Sequence, residues 1–433
     1  MAGSVSDNFI LLLRNELCGE GTDGLFEGLR GASGKDLSEI VALAKRHDLL
    51  PLVAHSLSSL GRTSGNKTDS NRDAVCAVKK ENSASAKDGN ASNQAYGYWA
   101  STVSFSLPSD TVKKLHAVYL KSVGVCEKQL FEISSIRSAL ENAHIRFIFL
   151  KGAVMRGLYP ESWMRTSSDI DVLVHEGDLD GAVAVLTDVL GYSCAVKGTH
   201  DVQLTAPSGV HVELHFRLIE EYRYPRANEY LNAVWDQSHP KSDASFEYVL
   251  SDEMFIFYHV AHTVKHFETG GCGVRFFCDL YFINKHFGTP SAALCDMLTK
   301  AGFLQFYETA SLLALRWFDG ISAPELDEFA DFILSLGTFG SRENLVAVRQ
   351  SKRGGRFKYL LHRAFMPYDM LTVNYPTLKG RKYLTPLYEM RRWFDIISGG
   401  RASKAGKEIG ASLASDVSER EKMLRVMSLT GLK

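Results

Sequence analysis

Three short β-rich runs, RFIFL at 146–150, DIDVLV at 169–174 and VHVELHF at 210–216, are separated by stretches of helical periodicity. Runs this short cannot stand alone and must pair into one sheet, so the chain is limited to a mixed α/β arrangement. The segment from Ser109 to Ala143 reads as one long helix, with Leu130, Ile133, Ile136 and Leu140 on a single stripe. Leu179 to Leu190 reads as a helix ended by Gly191. SCAV (193–196) and DVQLTA (201–206) supply further strands, and Pro207-Ser208-Gly209 is the turn into the last of them. Helix, strand, helix, strand, helix and two or three strands predict a small mixed sheet flanked by helices over roughly residues 130–218.

Helical patterns occupy both ends. LSEIVALAKRHDLLPLVAHSLSSL (37–60) has apolar residues at helical spacing, as do SDEMFIFYHVAHTVKHF, CDLYFINKHF, LCDMLTKAGFLQFYETASLLALRWF and ELDEFADFILSL further on. Between about Gly61 and Ala95 the chain is Ser, Asn, Asp, Lys and Gly with few large apolar residues, a composition that cannot repay the entropy of ordering. The expected organisation is an N-terminal helical segment (1–60), a disordered low-complexity insertion (61–98), an α/β catalytic domain (109–218), a helical C-terminal domain (219–400) and a polar tail (401–433).

With 49 basic and 50 acidic residues the formal net charge is -1, so no global field draws the chain to nucleic acid or to an anionic membrane. No apolar run approaches the roughly 18 to 20 residues needed to span a bilayer, and the first twenty residues read as an amphipathic helix. Seven cysteines, an odd number scattered along the chain, fit a reducing cytoplasm.

In DIDVLV the two acids are two residues apart, so on a strand Asp169 and Asp171 leave the same face while Ile170, Val172 and Val174 pack behind. In HVELHF the odd positions are polar, which puts Glu213 beside His211 and His215. Carboxylates on neighbouring strands offer hard oxygen ligands to Mg²⁺ or Mn²⁺, and a third acid can orient or deprotonate an attacking hydroxyl. Leu150-Lys151-Gly152-Ala153 is a strand, a tight glycine turn and a helix start whose amides attract phosphate, with Lys151 adding a positive charge. Arg165 and Ser168, just before Asp169, are placed to receive phosphate oxygens or position the acids.

The run FLKGAVMRGLYPESWMRTSSDIDVLV, followed about forty residues later by HVELHFRL, resembles the DNA polymerase β-type nucleotidyltransferase superfamily. Within it the chain is most similar to bacterial nucleotidyltransferases of unassigned substrate, whose hallmarks are a lysine-glycine turn, an Arg before the acid pair and an acid preceding Leu-His-aromatic. The match is clear over about residues 146–217. It departs where Ala153 stands in place of the usual Gly or Ser, which moves phosphate contact to backbone amides and Lys151. The resemblance implies an α+β nucleotidyltransferase fold and transfer of a nucleoside monophosphate from an NTP, expected to be ATP, to a hydroxyl of a small molecule, protein or RNA. Asp169, Asp171 and Glu213 are then the catalytic and metal-holding residues. The alternative is a regulatory nucleotide-binding module on the same fold.

Other residues carry weaker readings. His259, His262 and His266 share a helix face at 257–266 and are expected in a wall of the cleft, and Lys265, His211 and His215 are expected in supporting roles with them. His262 and His266 followed by Cys272 and Cys278 also permit a zinc site. Asp279, an acid among apolar neighbours, is a helix cap or a buried partner in a supporting role. KGRKYL (379–384) and RRWF (391–394) combine charge and rings as RNA-binding segments do, or as a packed and solvated helix face does.

Overall fold

A computed structural model describes residues 4–19, 29, 32–63, 107–198, 200–219, 224–269, 271–337, 365, 366, 368, 371, 372, 375–398 and 417–432. Apart from Gly61 to Thr63, the expected insertion at 61–98 lies outside the described residues, as do 401–416 of the expected tail. Backbone contacts divide the chain into two units, one of Met1–Ser135, Gly152–Ser168 and Trp317–Asp319, the other of Ile136–Lys151, Asp169–Arg316 and Gly320–Lys433.

The first unit is helical. Helices α1 (Val5–Cys18) and α2 (Gly34–Arg46) each begin at a serine whose hydroxyl accepts from the third amide, while an aspartate there (Asp7, Asp36) reaches back to the serine amide. Helix α3 (Leu50–Thr63) packs with both, over a core that includes Phe9, Leu12, Leu43 and Leu52. The long helix α4 (Ser109–Asn142) runs from this unit into the next, and matches the expected span closely. On its stripe Ile133, Ile136 and Leu140 are buried, and Leu130 is half-buried. A single helical turn, α5 (Gly152–Met155), completes the elements used below.

The second unit is built on a seven-stranded mixed sheet. Its strands are β1 (Phe147–Leu150), β2 (Asp169–Val174), β3 (Ser193–Lys197), β4 (Asp201–Thr205), β5 (His211–His215), β6 (Ser238–Pro240) and β7 (Glu247–Leu250), in the order β3-β4-β5-β2-β1-β7-β6. Strands β2 and β5 pair parallel, as do β1 and β7, and the remaining pairs are antiparallel. The sequence reading held for β1 to β5 and missed β6 and β7. Strand β6 is the edge, where Pro240 tolerates a missing ladder bond, and in β7, paired on both sides, buried Glu247 replaces an apolar residue because Arg137 Nε and Lys241 Nζ meet its carboxylate at 2.7 and 2.9 Å.

The expected helix at 179–190 is α6 (Leu179–Ala184) followed by a wide turn, Val185–Val189, and ends as expected at Gly191, whose φ is 70°. After it come α7 (Pro225–Leu231), α8 (Asp252–Glu268), α9 (Val274–Phe287), α10 (Ala292–Ala301), α11 (Leu304–Phe318) and α12 (Asp327–Ser335). The run read as one helix at 294–318 is two, because Gly302 at φ 77° closes α10. Helices α8, α9, α11 and α12 bury an aromatic core that includes Phe257, Phe267, Phe277, Phe306 and Phe329. Further on are α13 (Thr385–Ser398) and α14 (Val417–Leu429). The expected tail therefore contains a docked helix: Met423, Val426 and Met427 are buried, and Arg425 pairs with Glu328 of α12 at 2.7 Å. Among the described residues no helix is long and apolar enough to cross a membrane.

Candidate metal centre and phosphate turn

Strand β2 lies between β5 and β1, and its parallel register with β5 sets Asp169 against His211, Asp171 against Glu213 and Leu173 against His215. Paired residues share a face, so the acids and histidines of both strands emerge on one side while Ile170, Val172, Val212 and Leu214 are buried on the other. The alternation expected for both strands is realised.

Within that face three side chains converge. The ligand atoms of Asp171, Glu213 and His215 all lie within 4.8 Å of one another. His215 Nε2 is 2.8 Å from Asp171 Oδ1 and 3.4 Å from Glu213 Oε2, and Lys151 Nζ donates to the same Asp171 oxygen at 2.7 Å. Asp171 and His215 are almost fully buried, whereas Glu213 is half-buried. Asp169 is half-buried two residues earlier on the strand and is not one of the three, whereas His215, expected in support, is.

Burial opposes every charge here, and the charges hold one another. It works against the Asp171 carboxylate, but Lys151 and His215 outweigh it and keep the group well below the usual carboxylate range. For Lys151 burial is likewise overcome, chiefly by Asp171, so its ammonium persists. The His215 hydrogen bond leads in lowering Glu213, and on His215 itself burial is offset by bonds to Asp171 and Glu213, which raise it. Tyr258 of α8 is buried within electrostatic reach of Lys151, Asp171 and Glu213; burial first, then the two acids, raise its phenol against the pull of Lys151.

Two carboxylates and an imidazole suit a hard or borderline divalent cation. His215 Nδ1 is buried without a hydrogen-bond partner, so its ring is oriented through Nε2 alone, the nitrogen facing both acids. The three side chains together could hold one such cation.

Lys151, the last residue before α5, has φ 45°, a left-handed conformation unusual outside glycine and often found at functional sites. Gly152 follows it within the first unit, where a Cβ would lie 2.6 Å from Ser167 Oγ, 3.0 Å from Ser167 Cβ and 3.4 Å from Arg165 Nη1. Close approach, rather than a special φ, is what requires glycine here. Buried Arg156 braces the turn: its Nε donates to Gly152 O at 3.0 Å and its Nη2 to Gln129 Oε1 at 2.8 Å, while Gln129 Nε2 donates to Ser167 O at 3.0 Å. The bracket brings Gly152, Arg165 and Ser167 together; Ala153 is half-buried, and Ser168 is exposed. Arg156, Gln129 and Tyr258 escaped the sequence reading, although an arginine four residues after the glycine, on a short helix, was a usable clue.

The weaker expectations divide. His262 and His266 ring nitrogens lie 3.0 Å apart on α8, and burial, then Lys151, pushes His262 well below the usual imidazole range. Lys265 is half-buried, Asp279 is buried in α9, and His211 is exposed, its Nδ1 3.3 Å from Thr205 Oγ1. Cys272 and Cys278 are buried and outside any disulfide, and among the described residues only Asp171, Glu213 and His215 form a group with metal-ligand spacing. The zinc alternative gains no such group. In the basic stretch Arg392 turns inward to Glu389 at 2.8 Å, Arg391 lies over Tyr375 and Lys382 over Tyr368.

A mixed sheet bearing acids on neighbouring strands, with a braced lysine-glycine turn leading from its β1, defines an α+β fold of the nucleotidyltransferase type. The chain matches the family of uncharacterised nucleotidyltransferases over residues 33–319, and it belongs to that family. No curated protein and no solved structure matches it.

Proposed function

We propose that the protein transfers a nucleoside monophosphate from an NTP, with ATP the expected donor, to a hydroxyl of an acceptor, releasing pyrophosphate. The observation that carries this reading is the Asp171, Glu213 and His215 cluster on paired strands of a chain in this family. Asp171 and Glu213, joined by Asp169 on the same strand face, would hold Mg²⁺ or Mn²⁺, with His215 as a further ligand or as the group that orients both acids. Bound there, the cation supplies charge neutralisation for the phosphates. Lys151 exchanges Asp171 for the triphosphate, and Gly152 and Ala153 amides, Arg165 and Ser168 receive its oxygens. Glu213 accepts the proton of the acceptor hydroxyl. The hydroxyl oxygen bonds to the α-phosphorus as the bond from that phosphorus to the bridging oxygen breaks, and pyrophosphate carries away the electron pair. His211, His262, Lys265, His266 and Asp279 have supporting roles.

Asp169→Asn and Asp171→Asn should abolish transfer while far-ultraviolet circular dichroism stays unchanged, and full retained activity would sink the reading. One observation favours a second: Asp171 is already neutralised by Lys151 and His215. A regulatory module on this fold would bind nucleotide with metal and release no pyrophosphate.

A further inference from the structure

Tyr258 has no part in the steps proposed above, although it belongs to the same unit as Lys151, Asp171 and Glu213. It sits on α8 at 3% exposure, in a run of buried residues that includes Met254, Phe257 and Ala261. A phenylalanine would fill that place as well and would bring no hydroxyl to bury. The Tyr258 oxygen has no hydrogen-bond partner among the described residues. A buried hydroxyl left so works against folding, and its retention calls for a second state in which a partner reaches it.

The surroundings name that partner. After Asp171, Tyr258 is the side chain whose field bears most on Lys151, ahead of Glu213, yet the ammonium donates at 2.7 Å to Asp171 and makes no hydrogen bond to the phenol. An ammonium carries three donors and Asp171 Oδ1 takes one of them here. His262, one turn further along α8, is kept neutral by burial and then by the same ammonium, so the two residues set dipoles near Lys151 and not a second cation. Lys151 occupies the Asp171 oxygen that a divalent ion needs, so that oxygen is freed only when the ammonium moves away. A buried ammonium that moves must find another acceptor. Resting on the transferase reading above, we propose that Tyr258 is a positioning residue: its oxygen accepts a hydrogen bond from Lys151 when the ammonium leaves Asp171, which leaves two N–H groups of the lysine for the triphosphate.

Mn²⁺ titration of the full chain without NTP, read by the electron paramagnetic resonance of free Mn²⁺, tests this beside urea unfolding in EDTA. Tyr258→Phe should unfold in EDTA at a urea midpoint no lower than wild type, since the hydroxyl has no partner to lose there. It should bind Mn²⁺ at least about tenfold more weakly, because the displaced ammonium no longer finds an acceptor. In a Lys151→Met background the same substitution should leave Mn²⁺ affinity within about twofold, a dependence on Lys151 that a merely structural role for the ring would not produce. A lower midpoint in EDTA, or an equal loss of affinity with and without Lys151, overturns the proposal. Unchanged affinity in Tyr258→Phe, with wild type binding Mn²⁺, overturns this role and leaves the transferase reading standing. A wild-type chain that binds no Mn²⁺ overturns both.

Discussion

Replacing Lys151 by Met removes one charge while keeping the stem and the backbone demands of φ 45°. The ammonium lies 2.7 Å from Asp171, with side-chain exposures of 20% and 2%. At an effective dielectric of about 20, that separation corresponds to a gross attraction of about 6 kcal/mol. Desolvation of the pair consumes part of it, and breaking a buried pair from one side typically costs about 3 to 5 kcal/mol. Water can reach the exposed part of Lys151, so the lower end, about 3 kcal/mol, is expected. A divalent ion held by Asp171 and Glu213 takes over the work of the ammonium and meets no competitor in the variant. At about a hundredfold excess over its dissociation constant it returns about 2.7 kcal/mol. Urea unfolding followed by circular dichroism should therefore show Lys151→Met destabilised by about 3 kcal/mol in EDTA, and the gap to wild type should narrow in Mn²⁺. A variant within about 1 kcal/mol of wild type in EDTA, or a gap that Mn²⁺ leaves unchanged, refutes the reasoning.

Gly152→Ala forces a Cβ into Ser167, so after allowing for the entropy lost by the unfolded chain a net cost of about 1 to 2 kcal/mol is expected, with weaker nucleotide binding; adding Ser167→Gly should restore much of both, which a double-mutant cycle reads. Arg156→Met leaves Gly152 O and Gln129 Oε1 without their donor and should cost about 2 to 4 kcal/mol, measured by chemical denaturation. Burial opposes the Glu141 carboxylate, yet Ser245 and the amides of Phe246 and Glu247 hold its pKa below the ordinary value. A depressed folded pKa stabilises above the ordinary carboxylate range and loses that contribution as pH falls through the folded value. The stability difference between wild type and Glu141→Gln should thus be constant from pH 7 to about 5 and shrink toward pH 3, as thermal unfolding across that range would show.

The strands that carry the acids were legible because their alternation is strict: each of Ile170, Val172, Val212 and Leu214 is buried, and one pattern fixes both the face and the register. Less legible was the ranking of residues on that face. Spacing shows that Asp169, Asp171, Glu213 and His215 share a side, but the choice of Asp171 with Glu213 and His215 depends on a parallel offset between strands separated by two others in sequence. Tyr258, Arg156 and Gln129 were hidden for a related reason. Each sits in an ordinary helical pattern, and only the packing reveals what its polar end meets. Strand β6 was missed because an edge strand of three residues shows no apolar alternation, β7 because buried Glu247 interrupts its apolar run, and α14 because Met423, Val426 and Met427 are spread among charged neighbours.

Incubating the protein with Mg²⁺ or Mn²⁺ and host-cell extract, in parallel with NTPs labelled at the α-phosphorus and at the γ-phosphorus, tests nucleotidyl transfer most directly. The account predicts that α-label, and never γ-label, becomes attached to an acceptor in step with pyrophosphate release, and that Asp171→Asn and Glu213→Gln lose this activity. Transfer of γ-label, or no transfer of either label from any of the four NTPs, would contradict it.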